Sequence, residues 1–122
     1  MSWDGKERRK FVRVKYPCEI IIHKPQKHII STHAENISTK GISLIIEEKI
    51  KLSSIIDLDL YGIAEEPIVC KGKIIWVLEK KDSSIKNSIR YNTGIRFFKI
   101  KEKDVNKIKK LVVLITSSRK KK

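Results

Sequence analysis

Apolar and polar residues alternate along most of the body of this chain, with turn-forming residues between the runs. That two-residue period is the signature of half-buried β-strands. Cys18 to His23 is rich in β-branched residues and follows Pro17, which suits a strand start or an edge. Lys24-Pro25-Gln26-Lys27 reads as a hairpin turn leading to a second strand, His28 to Ala34. A third strand begins just after Gly41, where Ile42, Leu44 and Ile46 alternate with Ser43 and Ile45. Ile56, Leu58 and Leu60 alternate with Asp57 and Asp59, the cleanest one-face-in pattern in the chain, so both carboxylates fall on the solvent side. Ile68 to Leu78 is a longer strand interrupted at Gly72, where a bulge or sharp bend is natural. Ile89 to Phe98 is the last strand, with Gly94 inside it, and the polar stretch Glu79 to Ser88 reads as a hairpin loop.

The period changes after residue 101. Val105, Ile108, Leu111, Val112 and Ile115 form the apolar stripe of a helix. Asp104 stands near its start, where a carboxylate favours the helix dipole, and Thr116-Ser117-Ser118 is its expected end. Six strands followed by one amphipathic helix predict a mainly all-β fold, a small six-stranded antiparallel β-barrel with a C-terminal amphipathic α-helix. The expected organisation is a single domain over residues 1–115, with an arm at 1–15, the barrel at 16–100 and the helix at 103–115. Residues 116–122 are a basic tail.

Composition narrows the class. The 122 residues are 40% hydrophobic and 34% charged, which describes a globular chain able to bury a core. No apolar run approaches the roughly 18 residues of a membrane span, and no secretory leader follows the first charges. Cys18 and Cys70 form no CxxC and read as buried thiols in a reducing setting, so the expected location is cytoplasmic. The net charge is +14, and it concentrates in the arm and in the residues after 98, leaving the barrel segment nearly neutral. Such a distribution points to an anionic partner near the ends, whereas the terminal Arg119-Lys120-Lys121-Lys122 reads as a solvated tail.

Enzyme signatures are missing from the sequence: it has no GxSxG, no HExxH, no P-loop and no strand–GxGxxG–helix unit. The expectation is therefore a binding protein rather than an enzyme, with no metal and no cofactor. His23, His28 and His33 recur every five residues, but an odd offset on strands alternates faces and does not converge on a metal.

Two segments remain. The first is Glu7-Arg8-Arg9-Lys10-Phe11-Val12-Arg13, a basic arm just before the first strand. Its arginines can bond bidentately to phosphate or to a guanine edge and can stack on a base. The second is Asn36-Ile37-Ser38-Thr39-Lys40-Gly41, between strands two and three. Asn36 and Ser38 suit a turn that bonds a ligand or its own backbone, and Gly41 permits a positive φ and close approach.

These segments, in this order, resemble the RxxxR and D/NxSxxG motifs of the PilZ domain family, here Arg9 to Arg13 and Asn36 to Gly41. Lys73-Ile74-Ile75-Trp76, Thr93-Gly94-Ile95-Arg96-Phe97 and the terminal helix are also similar to the family's late elements, so the resemblance covers roughly residues 7–115. It implies a receptor for cyclic dimeric guanosine monophosphate (cyclic di-GMP) that orders its arginine arm over the ligand and signals to an effector protein in trans. Arg9 and Arg13 would grip guanine edges and phosphate oxygens, Asn36 and Ser38 would bond the ligand from the barrel, and Gly41 would shape the turn. Arg8 would add a stacking plane for an intercalated ligand dimer. Gly94 and Trp76 are read first as a strand bend and a core indole, with a place near the site as the alternative. Two other readings compete. One is a basic barrel for single-stranded nucleic acid, disfavoured because Tyr61, Trp76, Phe97 and Phe98, half of the eight aromatics, are expected to serve the core at least in part. The other is an adaptor that binds no ligand.

Overall fold

The computed structural model describes residues 13–24, 28–82 and 88–120. Strands are β1 (Val14–Lys15), β2 (Glu19–Lys24), β3 (His28–Ile37), β4 (Gly41–Ile46), β5 (Ile55–Leu60), β6 (Ile68–Asp82) and β7 (Ser88–Lys99), followed by helix α1 (Glu102–Lys120). Every pairing is antiparallel, in the order β1-β3-β2-β5-β6-β7-β4. A further β3–β4 pairing closes the last six of these strands into a barrel. The short β1 is an addition to the expected six: Val14 pairs with Ile37 and Lys15 with Asn36, beyond the point where β2 leaves β3.

The alternation seen in the sequence is the alternation of the wall. Ile20 and Ile22, Leu44, Leu58 and Leu60, Ile74 and Ile95 are fully buried and fill the interior. Each such side chain contributes about 1.5–3 kcal/mol relative to exposure. On the outer side of β5, Asp57 bonds Lys71 Nζ at 2.6 Å and Asp59 bonds His23 Nε2 at 2.8 Å, so the acidic positions do face away from the core. Helix α1 adds Ile108 and Val112 to the same apolar cluster and lies beside β1. It runs through Thr116-Ser117-Ser118 to Lys120, past its expected end. Those residues include no glycine or proline to stop it. No described helix is long and apolar enough to cross a membrane.

The wall is irregular in three places. At Gly72 the β6–β7 register shifts, as the glycine anticipated, leaving Phe98 without a cross-strand partner and 52% exposed. Phe98 is thus an outer residue, and Tyr61 is exposed as well, contrary to a role in the core. The β6–β7 ladder continues to Asp82 paired with Ser88, through residues expected as loop. The β3–β4 ladder, conversely, is short: it joins Ala34 to Leu44 and Ile37 to Ile42, shifts register at Glu35, and stops. Beyond Ala34 and Leu44 the two strands part.

Candidate functional site

The turn between β3 and β4 is built by one hydroxyl. Ser38 Oγ accepts from the backbone N–H of Lys40 at 3.1 Å and of Gly41 at 3.3 Å, and the Ser38 N–H donates to the Gly41 carbonyl at 2.9 Å. Ser38 is 5% exposed, so these bonds are made away from solvent and fix the turn. Asn36 lies inside β3 rather than in the turn, and its Nδ2 donates to Ser43 Oγ on β4 at 3.2 Å. Gly41 does not adopt the positive φ that its residue type allows; among the described glycines only Gly62 does. Its requirement is proximity. A Cβ there would stand 2.1 Å from the Ile95 carbonyl oxygen, because β4 meets β7 at Gly41 opposite Arg96.

β1 brings the arm to this turn. Pairing Val14 with Ile37 places Arg13, the last residue before the strand, next to the end of β3. Arg13, Asn36, Ser38 and Gly41 then line one cavity of about 110 Å³. Arg8 and Arg9 lie outside the described residues. The other walls are Lys40, Ile42, Ser43, Ile75, Trp76, Gly94, Ile95 and Arg96.

Trp76 and Gly94 line this cavity too, and the half-buried indole is not the core residue expected of it. They face one another across the β6–β7 ladder, and a Cβ on Gly94 would stand 2.2 Å from the indole. The register shift between Ile74 and Trp76 turns the half-buried ring toward the cavity, away from the core. A glycine inside a strand signals such close approach, so Gly94 carried the hint. Nothing in the local pattern marked Arg96 or Ile75.

Arg13, Lys40 and Arg96 give the cavity three cations, and no carboxylate lines it among the described residues. Ile75 and Trp76 give it a flat apolar side. Such a site suits an anion that carries an aromatic ring. At about 110 Å³ it is well below the roughly 300–1,000 Å³ that encloses a drug-sized ligand, so a dinucleotide would lie largely across its mouth.

The remaining titratable groups lie elsewhere. Burial pushes the Cys18 thiol up to about 11, and burial with the negative charges of Asp104 and Asp59 pushes Cys70 up to about 12. Neither is a nucleophile at neutral pH. Hydrogen bonds from Lys24 and His28 hold Glu48 below the usual carboxylate range. The described residues contain no group of three or more His, Cys, Asp or Glu side chains placed to hold a metal ion.

A closed antiparallel barrel with a cation-lined cavity at one hairpin, and a lead-in strand that brings an arginine to it, defines a small β-barrel domain. The profile of the PilZ domain matches residues 7–114, and the chain belongs to that family. Among solved structures, the Bacillus subtilis inhibitor of motility (MotI/DgrA) is similar at TM-score 0.72 and 18% identity, covering 94% of this chain and 53% of that one. The PilZ domain of Escherichia coli YcgR with c-di-GMP is similar at TM-score 0.71 and 13% identity, covering 93% and 96%. The K. pneumonia MrkH–c-di-GMP complex gives TM-score 0.70 and 16% identity, covering 94% and 56%. The chain thus spans about half the length of the motility inhibitor and of MrkH. At these identities the likeness is one of fold. No curated protein sequence matches the chain.

Proposed function

We propose that the chain is a receptor for cyclic di-GMP, bound at the cavity between the β3–β4 turn and strands β6 and β7. The observation that carries this is convergence: Arg13 from the RxxxR segment and Asn36, Ser38 and Gly41 from the NxSxxG segment line the same cavity. The YcgR PilZ domain and MrkH, both of this fold, are solved with the same ligand. Arg13 and Arg96 supply bidentate donors for phosphate oxygens or the O6/N7 edge of guanine. Trp76 offers a face for a purine, and the Asn36 carbonyl oxygen remains an acceptor after its amide has bonded Ser43. Ser38 contributes mainly through the turn it holds. Arg8 and Arg9 close over the exposed part of the ligand, and the altered surface is read by an effector protein in trans. No covalent step is involved.

Calorimetry with cyclic di-GMP, beside GTP and a short single-stranded RNA, tests the reading. Saturable heat with the cyclic dinucleotide, lost in Arg13→Ala while the melting temperature holds, is the expected result. The nucleic-acid reading gains from exposed Phe98, which shares a surface groove with Lys71, Lys99 and Lys101. Binding of RNA alone, falling steeply with salt, would replace the receptor with that reading.

A further inference from the structure

The parting of β3 and β4 leaves a second feature that ligand binding does not use. Two hydrogen bonds fix which way the main-chain groups of β2 and β3 point. The Glu19 carbonyl accepts from Tyr61 N–H on the β5 side, and the Cys18 carbonyl accepts from Ala34 N–H on the β3 side. Because these directions alternate along a strand, Ile20, Ile22 and Lys24 face β3, where they meet Thr32, Ile30 and His28. The N–H and C=O groups of Ile29, Ser31 and His33 therefore point the other way, toward β4.

No described strand pairs with them there, since the β3–β4 ladder ends at Ala34 with Leu44. At the narrow end of the gap a side chain bridges it: Thr32 Oγ1 donates to the Ile45 carbonyl at 3.4 Å. Past that point the gap widens into a groove of about 840 Å³ between β3 and the end of β4, and Glu48 crosses its far end through its bonds to His28 and Lys24, so an added strand must displace or pass that ion pair. Arg90, on β7, forms part of its wall. The Nε of Arg90 is buried and has no hydrogen-bond partner among the described residues. Ile29 on the outer side of the same edge is 56% exposed.

A free strand edge, room beside it and a guanidinium in the wall are the ingredients of recognition by strand addition. We propose that the free edge of β3 at Ile29 and Ser31 binds an extended segment of a partner protein as an added strand, with a carboxylate or carbonyl of that segment accepting from the part of the Arg90 guanidinium that lines the groove. Main-chain pairing gives the affinity, and Arg90 fixes the register. This goes beyond the ligand reading and stands without it, because the edge lies at the open end of the β3–β4 hairpin and the cation-lined cavity at its closed end.

The test is selection from a phage-displayed random heptapeptide library on the whole protein, without cyclic di-GMP, followed by ¹⁵N NMR titration of the enriched peptide. Expected are sequences rich in β-branched residues with one Asp or Glu, and shifts with slowed exchange at the amides of Ile29, Ser31 and His33. Ser31→Pro removes an N–H that no described strand uses, and should abolish binding while the barrel still melts cooperatively. Should that variant fail to fold, Arg90→Ala carries the test, with an expected loss of tenfold or more in affinity. Absence of any enriched peptide, or shifts confined to other elements, overturns the proposal. Concentration-dependent dimerisation that protects the same amides would assign the edge to a second copy of this chain and overturn the partner segment as its occupant.

Discussion

Gly41 and Gly94 invite the same substitution with opposite consequences. A methyl at Gly41 would stand 2.1 Å from the Ile95 carbonyl oxygen and 3.0 Å from Arg96 Cα, both main-chain atoms of β7. That strand is held from behind by β6, where Ile74 pairs with Ile95 and Lys73 with Arg96, so relief requires β4 and β7 to separate. Overpacking of this kind costs about 1–3 kcal/mol. Separation also weakens the 2.8 Å bond from Phe97 N–H to the Lys40 carbonyl, worth about 0.5–1.5 kcal/mol. Gly41→Ala should therefore lose roughly 2–4 kcal/mol, a large share of a typical domain's total of about 5–15. At Gly94 the methyl meets the Trp76 ring at 2.2 Å instead. The half-buried indole can swing outward, which limits the cost to about 1–2 kcal/mol but removes the flat wall of the cavity. Urea unfolding followed by circular dichroism, run beside cyclic di-GMP calorimetry, separates the two effects. The expected result is a large loss of stability in Gly41→Ala, and a small loss with a clear fall in affinity in Gly94→Ala. Wild-type stability in Gly41→Ala, or the reverse order of the two variants, would refute the claim that main chain, and not side chain, confines Gly41.

Three further outcomes follow from the same geometry. Cys18 and Cys70 keep their protons to about 11 and about 12 in the folded state, against about 8.5 when unfolded. Folding thus binds protons between those values, so the stability these thiols lend is complete below about pH 8 and is lost as pH rises through 9 toward 12; urea midpoints of wild type against a Cys18→Ala/Cys70→Ala variant across that range check it, and parallel curves would refute it. Ser38→Ala removes the acceptor of two turn N–H groups and should cost about 1–2 kcal/mol in the same unfolding assay, with a cost near zero showing that the turn holds itself. In a Trp3→Phe background, the emission of Trp76 should shift on addition of cyclic di-GMP, and an unchanged spectrum at saturation would remove the indole from the site.

The barrel was legible wherever one face of a strand is buried and the other wet. Ile56, Leu58 and Leu60 against Asp57 and Asp59 is such a case, and β5 follows it closely. The outer reach of the β6–β7 ribbon was not legible because both of its faces meet solvent; Leu78 is 59% exposed, and Glu79 to Asp82 carry no two-residue signal. β1 escaped notice because two residues are too few to show a period. The polar half of the cavity was readable as motif, since Arg13, Asn36, Ser38 and Gly41 sit at fixed spacings along the chain. Its other half was not. Trp76 and Gly94 reach the cavity through a register shift and a cross-strand contact, relations that a glycine inside a strand hints at but does not locate.

The longest-range ladder of the barrel, β4 with β7, also sets when the cavity comes into being. The β2–β3, β3–β4, β5–β6 and β6–β7 pairings join strands adjacent in sequence, whereas β2 meets β5 across about forty residues and β4 meets β7 across about fifty. Such distant pairings bear the largest loop-closure entropy and are the ones that form late. Arg96 and Gly94 are opposed to Gly41 and Ser43 only through that last ladder. A chain stalled before that ladder forms would have most of its hairpins, including the β3–β4 turn, but not the cavity wall that β7 supplies. A ligand at this seam would accordingly leave the rate of folding nearly unchanged and slow unfolding, acting as a latch on the finished barrel and not as a template for it.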